Sequence, residues 1–197
     1  MHLFSKHGFE SVTVAEIAER AEIGRSTFFR YFADKPEVVF NDTETQVRAM
    51  TTATRAMLAA QGPTTGSLIQ ALAAVHVAAL ALGRHLDPGG DRDQFSRRVH
   101  LIDRNADLTA RRFSKQHRLV LAVRAVLIEA GFSFQVAVMA TQMVEACCQS
   151  AWIVAGTGTV DFRTALEEAF RQLTHVDGDA LRRQLDSCAD VCTQEGR

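Results

Sequence analysis

The chain has 197 residues, 47% apolar and 23% charged, with a formal net charge of −1. That length suits one large domain or a small domain joined to a larger one, with enough chain to bury a substantial core. The near-neutral total says nothing about nucleic acid, and the composition is that of an ordinary globular chain rather than a disordered or fibrous one.

Further classes fall away on inspection. The first residues are polar and no apolar signal core follows, so a secretory leader is not expected. No apolar run reaches the roughly 20 residues of a membrane span. The longest, residues 71–82, is broken by His76. A cytoplasmic protein with no membrane partner is the expectation. The four cysteines, Cys147, Cys148, Cys188 and Cys192, match no zinc or CxxC spacing. They read as small packing residues in a reducing compartment, with a redox sensor as the alternative. No metal or cofactor is implied. Only three prolines occur and alanine is abundant, which favours an all-α fold.

Helical periodicity runs along the chain and strand alternation is scarce. Thr13-Val-Ala-Glu16 is a capping box, opening a short helix with Val14, Ile17, Ala18 and Ala21 on one face. A break at Glu22-Ile-Gly24 separates it from a second short helix that ends by Ala33. Asp34-Lys-Pro-Glu37 is another start signal, with Asp as cap and Pro in the first turn, and predicts a long helix over 35–60. Residues 61–66, Gln-Gly-Pro-Thr-Thr-Gly, form the clearest linker. Further helices are predicted over 67–85, 92–104, 108–130, 134–155, 161–174 and 178–192. Residues 1–45 carry five Lys/Arg against eight Asp/Glu, a local −3, whereas 84–124 hold ten Lys/Arg against five Asp, a local +5.

The stretch Gly24-Arg-Ser-Thr-Phe-Phe-Arg-Tyr-Phe32 serves two faces. Phe28 and Phe32, four apart, share the side that packs on the preceding helix. Arg25, Ser26, Phe29 and Arg30 point away. Two short helices joined by a tight turn, the second carrying Arg and hydroxyls at its start, make a helix-turn-helix. In that motif the second helix enters the major groove. Arg is the commonest side chain for bidentate contact with guanine.

Residues 3–40 resemble the DNA-binding domain of the TetR family of bacterial regulators. Leu3, Phe4, Gly8, Phe9, Thr13, Val14, Ile17, Ala18, Ala21, Thr27, Phe28, Tyr31, Phe32 and Lys35 carry the resemblance in order and spacing. It implies base-facing roles for Arg25, Ser26 and Arg30. It implies DNA-backbone contacts for Thr13, Thr27, Phe29, Tyr31 and Lys35, and core roles for Phe28 and Phe32. Three departures stand out. Glu22 occupies a turn position where the family usually has Gly, so a strained left-handed residue is expected there. Phe29 replaces a frequent Tyr and loses one hydroxyl. Only Met1 and His2 precede Leu3, so the expectation is either a first helix cut short or a sequence incomplete at its start.

The expected architecture is therefore an N-terminal three-helix domain, residues 1–45, followed by a larger helical ligand-binding and dimerisation domain, residues 46–197. The expected function is a DNA-binding transcriptional regulator, a repressor released from its operator by an unidentified small-molecule effector. By the same resemblance it pairs with a second copy through 134–155 and 161–174. Candidate pocket residues are Met57, His76, Phe95, His100, Phe113, His117, Met139, Met143 and Trp152, the large or polar groups on otherwise apolar helices. Each has core packing as its simpler explanation. The +5 segment meets an anionic ligand, or faces the acidic N-terminal domain and couples the two, or, for most single arginines, is solvated surface. The competing readings are an all-α enzyme and a helical adaptor with a degenerate DNA-binding head. Against the enzyme, no HExxH, GxSxG or P-loop occurs. The lone GxG at 156–158 is expected to be a loop.

Overall fold

A computed structural model describes residues 2–40, 42–87, 89–175 and 178–179. These form α1 (His2–His7), α2 (Val14–Arg20), α3 (Arg25–Tyr31), α4 (Thr43–Gln61), α5 (Leu68–Leu86), α6 (Arg92–Asp103), α7 (Ala106–Glu129), α8 (Phe134–Gly156) and α9 (Phe162–Thr174), with no strand among the described residues. The all-α expectation holds. The helix expected over 178–192, with Cys188 and Cys192, lies outside the described residues.

Most helices begin where a short polar side chain can accept from the free amides of the first turn. Thr13, Asp42, Ser67, Asp91, Asn105, Ser133 and Asp161 each do so. The box at Thr13 is reciprocal: the Glu16 amide donates to Thr13 Oγ1 at 3.2 Å, and the Thr13 amide donates to Glu16 Oε2 at 2.7 Å. The Thr13 amide and hydroxyl, both donating to the Glu16 carboxylate, hold it below its usual range.

The expected single helix over 35–60 is two elements. Asp34 does cap, accepting from the Glu37 amide at 3.1 Å, but it opens only one 3-10 turn, Pro36–Val39. The chain then extends at Phe40, and Asp42 opens α4. Val39 is buried and Phe40 half-buried. Turning both inward breaks the helix, and Asp42-Thr-Glu44 supplies a second start signal. A domain division at 45/46 would fall in the first turn of α4.

Helix α5 is the centre of the larger part. Ala71, Ala74, Ala78 and Ala79 are fully buried, and their small side chains let α4, α8 and α9 approach closely. By length and composition α5 could cross a membrane, which the broken run 71–82 does not suggest. Here it is a core helix, with Gly83 against the Phe162 ring. Helix α8 packs on α5, α6, α7 and α9. At its end Gly156 is pressed against α6: a Cβ there would lie 2.7 Å from Val99 Cγ1. The GxG is thus a helix end that permits close packing. One continuous core joins Phe4, Phe9 and Val12 of the head to Phe162 and Leu166.

The turn between α2 and α3 is a Schellman motif. The Ile23 amide donates to the Ala18 carbonyl at 3.0 Å and the Glu22 amide to that of Glu19 at 3.0 Å. Glu22 takes the left-handed position, with φ 55°. This is the strained conformation expected from its occupying a glycine position. Glu22→Gly should therefore raise stability by about 0.5–1 kcal/mol, the strain relieved minus glycine's greater chain entropy. An unchanged or lower urea midpoint would show that Glu22 is not strained.

Candidate functional site

Helix α3 presents two opposed faces. Phe28 is 0% exposed. Its ring lies edge-on to Phe29 at 5.3 Å and tilted against Phe32 at 5.2 Å. Arg25, Ser26, Phe29 and Arg30 are exposed together, and Tyr31 is 69% exposed. The Arg30 guanidinium stacks 5.1 Å from the Tyr31 ring centroid, which orders a long side chain on the open face. Thr27 is half-buried. Thr13 is exposed, with its hydroxyl donating to Glu16 at 2.8 Å.

Lys35 sits differently from the expectation of a phosphate contact. Its ammonium donates to the carbonyls of Phe9 at 2.9 Å and Glu10 at 3.3 Å and lies over the Phe9 ring. The side chain locks the end of α3 to the α1–α2 turn.

The basic segment does meet the acidic head. Arg111 on α7 donates to Asp34 at 2.6 and 3.1 Å and to Glu37 at 3.1 Å. Lys115, one turn on, pairs with the same Glu37 and donates to Thr43 Oγ1 at 2.9 Å. Arg118 pairs with Glu44, and Asn105 donates to Glu10 at 2.8 Å. Burial acts to lower the Arg111 pKa, but the bonds and charges of Asp34 and Glu37 outweigh it and hold it above its ordinary value.

Behind this seam lies a cavity of about 110 Å³. The head's Val39 and Phe40 line it, with Met50 on α4, Val75 and Leu82 on α5, and Val144 and Trp152 on α8. Its polar lining includes Arg98, Arg112, Lys115 and Glu145. Arg112 donates through Nη1 to the amide oxygens of Gln116 at 3.1 Å and Gln149 at 3.0 Å. Its guanidinium lies 4.9 Å from the Trp152 ring centroid. Burial lowers its pKa, with Asp103 acting the other way. Arg98 is similarly lowered by burial, against Asp87, and donates to the Leu86 carbonyl.

Of the nine pocket candidates only Trp152 lines this cavity. Phe95 is buried behind it, between Trp152 and Phe162. His76 packs its ring 4.0 Å from that of Phe170, and burial lowers its pKa despite Glu167. Met57 and Met143 are half-buried, while Phe113, His117 and Met139 are exposed. His100 is exposed on α6, bonded to Ser96, and lines a separate crevice against α1. Side-chain size without helical phase does not find the pocket. The signal lies instead in the α7 stripe Leu108, Arg112, Lys115, Leu119, Val123 and Val126, where two cations occupy core-facing positions.

Cys148 also lines the cavity. Burial, with Cys147 and Glu145 nearby, pushes its thiol up to about 12. Both cysteines are free, and a thiol so protonated is a poor redox sensor. Among the described residues no His/Cys/Asp/Glu group could hold a metal ion.

Comparison with known proteins agrees with the geometry of the head. Residues 1–40 match the family described as "Bacterial regulatory proteins, tetR family". A stretch of 47 residues is 43% identical to a Mycobacterium tuberculosis protein described as "Putative mycofactocin biosynthesis transcriptional regulator MftR". That similarity spans 24% of this chain and 24% of the relative, about a quarter of each. The helix-turn-helix with its inward Phe28 and outward arginines is thus the shared part, and the head that carries it is similar to that of the TetR family of bacterial regulatory proteins.

Proposed function

We propose that this protein is a DNA-binding transcriptional repressor that a small-molecule effector releases from its operator. The observation that carries this is the seam and cavity together: Val39 and Phe40 of the DNA-binding head form part of the cavity wall. Whatever fills the cavity touches the element that sets the head's position. Residues 1–45 act as the head and 46–197 as the effector and dimer part. Arg25, Ser26 and Arg30 face bases. Thr13, Thr27, Phe29 and Tyr31 face the DNA backbone. Lys35 keeps α3 in place from behind.

A second copy completes the operator-binding unit, because one short helix spans too few base pairs and paired half-sites lie about 34–36 Å apart. Support comes from exposed apolar side chains along α8: Ile153 is 59% and Met139 44% exposed on its outward side, and Phe134 is 68% exposed at its start. Arg112–Gln149 and Arg124–Thr141 set the antiparallel register of α7 on α8. Phe113, Leu121 and Ile128 of α7 are exposed as well. The outward face of α9 is charged instead, with Arg163–Glu167 and Arg171–Glu168 pairs. The dimer surface we propose is 134–155 with 161–174, with α8 supplying apolar contact and α9 charged contact.

The test is a fluorescence anisotropy titration with duplex DNA flanking the protein's own gene. Tight binding that weakens steeply with salt is expected; salt-independent binding, or none by a folded dimer, would overturn the proposal. Arg30→Ala should weaken specific binding by about 1–3 kcal/mol. Unchanged affinity would remove Arg30 from the base-facing set.

A further inference from the structure

The cavity's polar groups say what kind of molecule it takes. Four charged side chains line it. Lys115 is held by Glu37 and Thr43, and Glu145 by the Gln142 amide at 2.7 Å. The two arginines have no ion pair among the described residues: Arg98 donates to the Leu86 carbonyl and Arg112 to two neutral amides. Arg112 differs from Arg98 in carrying an orphan. Its Nε is buried with no hydrogen-bond partner, as is the indole Nε1 of Trp152 beside it. Both orphans are N–H donors, and a buried donor left unmade is costly. Neither atom is open to the cavity while the guanidinium lies on the indole; an anionic acceptor that parts this stack answers both. A guanidinium fits a carboxylate especially well, since its N–H groups can bond both oxygens at once. The rest of the wall is aliphatic and aromatic, and about 110 Å³ is of the order of a cavity known to hold a molecule about the size of benzene.

We infer that the cavity binds a small apolar carboxylate, its charged end on Arg112 and the Trp152 indole N–H and its hydrocarbon body against Val75, Val123 and Val144. This rests on the ligand-responsive reading above. It also gives that reading a route: Lys115 lies on the same wall one turn from Arg112, and an arriving carboxylate competes with Glu37 for it. Loss of the Lys115–Glu37 pair frees the head's 3-10 turn.

Trp152 is the chain's only tryptophan, so its emission reports occupancy directly. Benzoate and hexanoate are titrated against benzyl alcohol and hexanol, with the full chain and with Arg112→Met. The acids should shift Trp152 emission saturably and bind about tenfold tighter than the matching alcohols. Arg112→Met should erase that preference. Alcohols binding as tightly as acids, or no saturable signal from either acid below about 10 mM, would overturn the inference with the unmodified chain alone. Arg112→Met keeping the preference would overturn it as well. The same acids are then added to the protein–DNA complex. Acid binding without DNA release sinks the release mechanism and leaves the carboxylate site standing. DNA release by another compound, with no acid binding, sinks the carboxylate site alone.

Discussion

Phe28→Ala should abolish operator binding while leaving most of the helical bundle folded. The ring is fully enclosed between α2 and its own neighbours Phe29 and Phe32, so truncation removes its burial and leaves a cavity that two seven-residue helices cannot close. The expected cost is about 3–5 kcal/mol. Phe28 and Ala18 lie outside the main core cluster that runs from Phe4 to Phe170. The loss should therefore appear as local opening of α2 and α3. Hydrogen exchange of the α3 amides and a DNA titration, run together, read it. Protection in α3 should collapse while α5 and α8 keep theirs. Tyr31→Ala is the control: at 69% exposure it should change stability by less than about 0.5 kcal/mol and act only on binding. Full α3 protection in Phe28→Ala would mean the helix is held by something other than this ring.

The head was legible because its signals are local. A capping box, a glycine position filled by Glu22, and the Phe28–Phe32 spacing each specify structure within a few residues. Seven residues in the motif leave little freedom of phase, so inward and outward faces could be assigned. The larger part was legible as helices but not as a site. Arg112 and Phe113 are adjacent in sequence; one lines the cavity and the other is 51% exposed. A pocket is assembled from six helices and the 3-10 turn, and no local pattern says which phase of each faces it. Lys35 shows the same limit on a smaller scale. Its ammonium lies on carbonyls 25 and 26 residues away, a contact no spacing rule contains.

The seam was half-legible. Blocks of opposite charge at 1–45 and 84–124 suggested attraction, but only three of the ten basic residues there reach a carboxylate of the head: Arg111, Lys115 and Arg118. They are spaced by three and four, one face of α7. Arg118–Glu44 is more than half exposed on both sides and contributes at most about 1 kcal/mol. Lys115 and Glu37 are 16% and 24% exposed, and there the head is held.

Glu37→Lys should therefore be the most damaging single charge change outside the DNA-facing surface. It places a third cation between Arg111 and Lys115, which both turn to Glu37, and leaves Lys115 with Thr43 alone. A cost of about 2–4 kcal/mol is expected, below that of breaking a fully buried pair because Arg111 remains one-third exposed and keeps Asp34. Urea unfolding reads the stability, and salt should soften the penalty as it screens the repulsion. Adding Lys115→Glu restores opposite charges in reversed order. The double variant should recover at least about 1 kcal/mol over the sum of the single changes. It should also recover DNA affinity, because the head regains its anchor on α7 even though neither residue faces the duplex. Strict additivity of the two changes would mean that Glu37 and Lys115 do not act on one another, and that the head is positioned by the shared core alone.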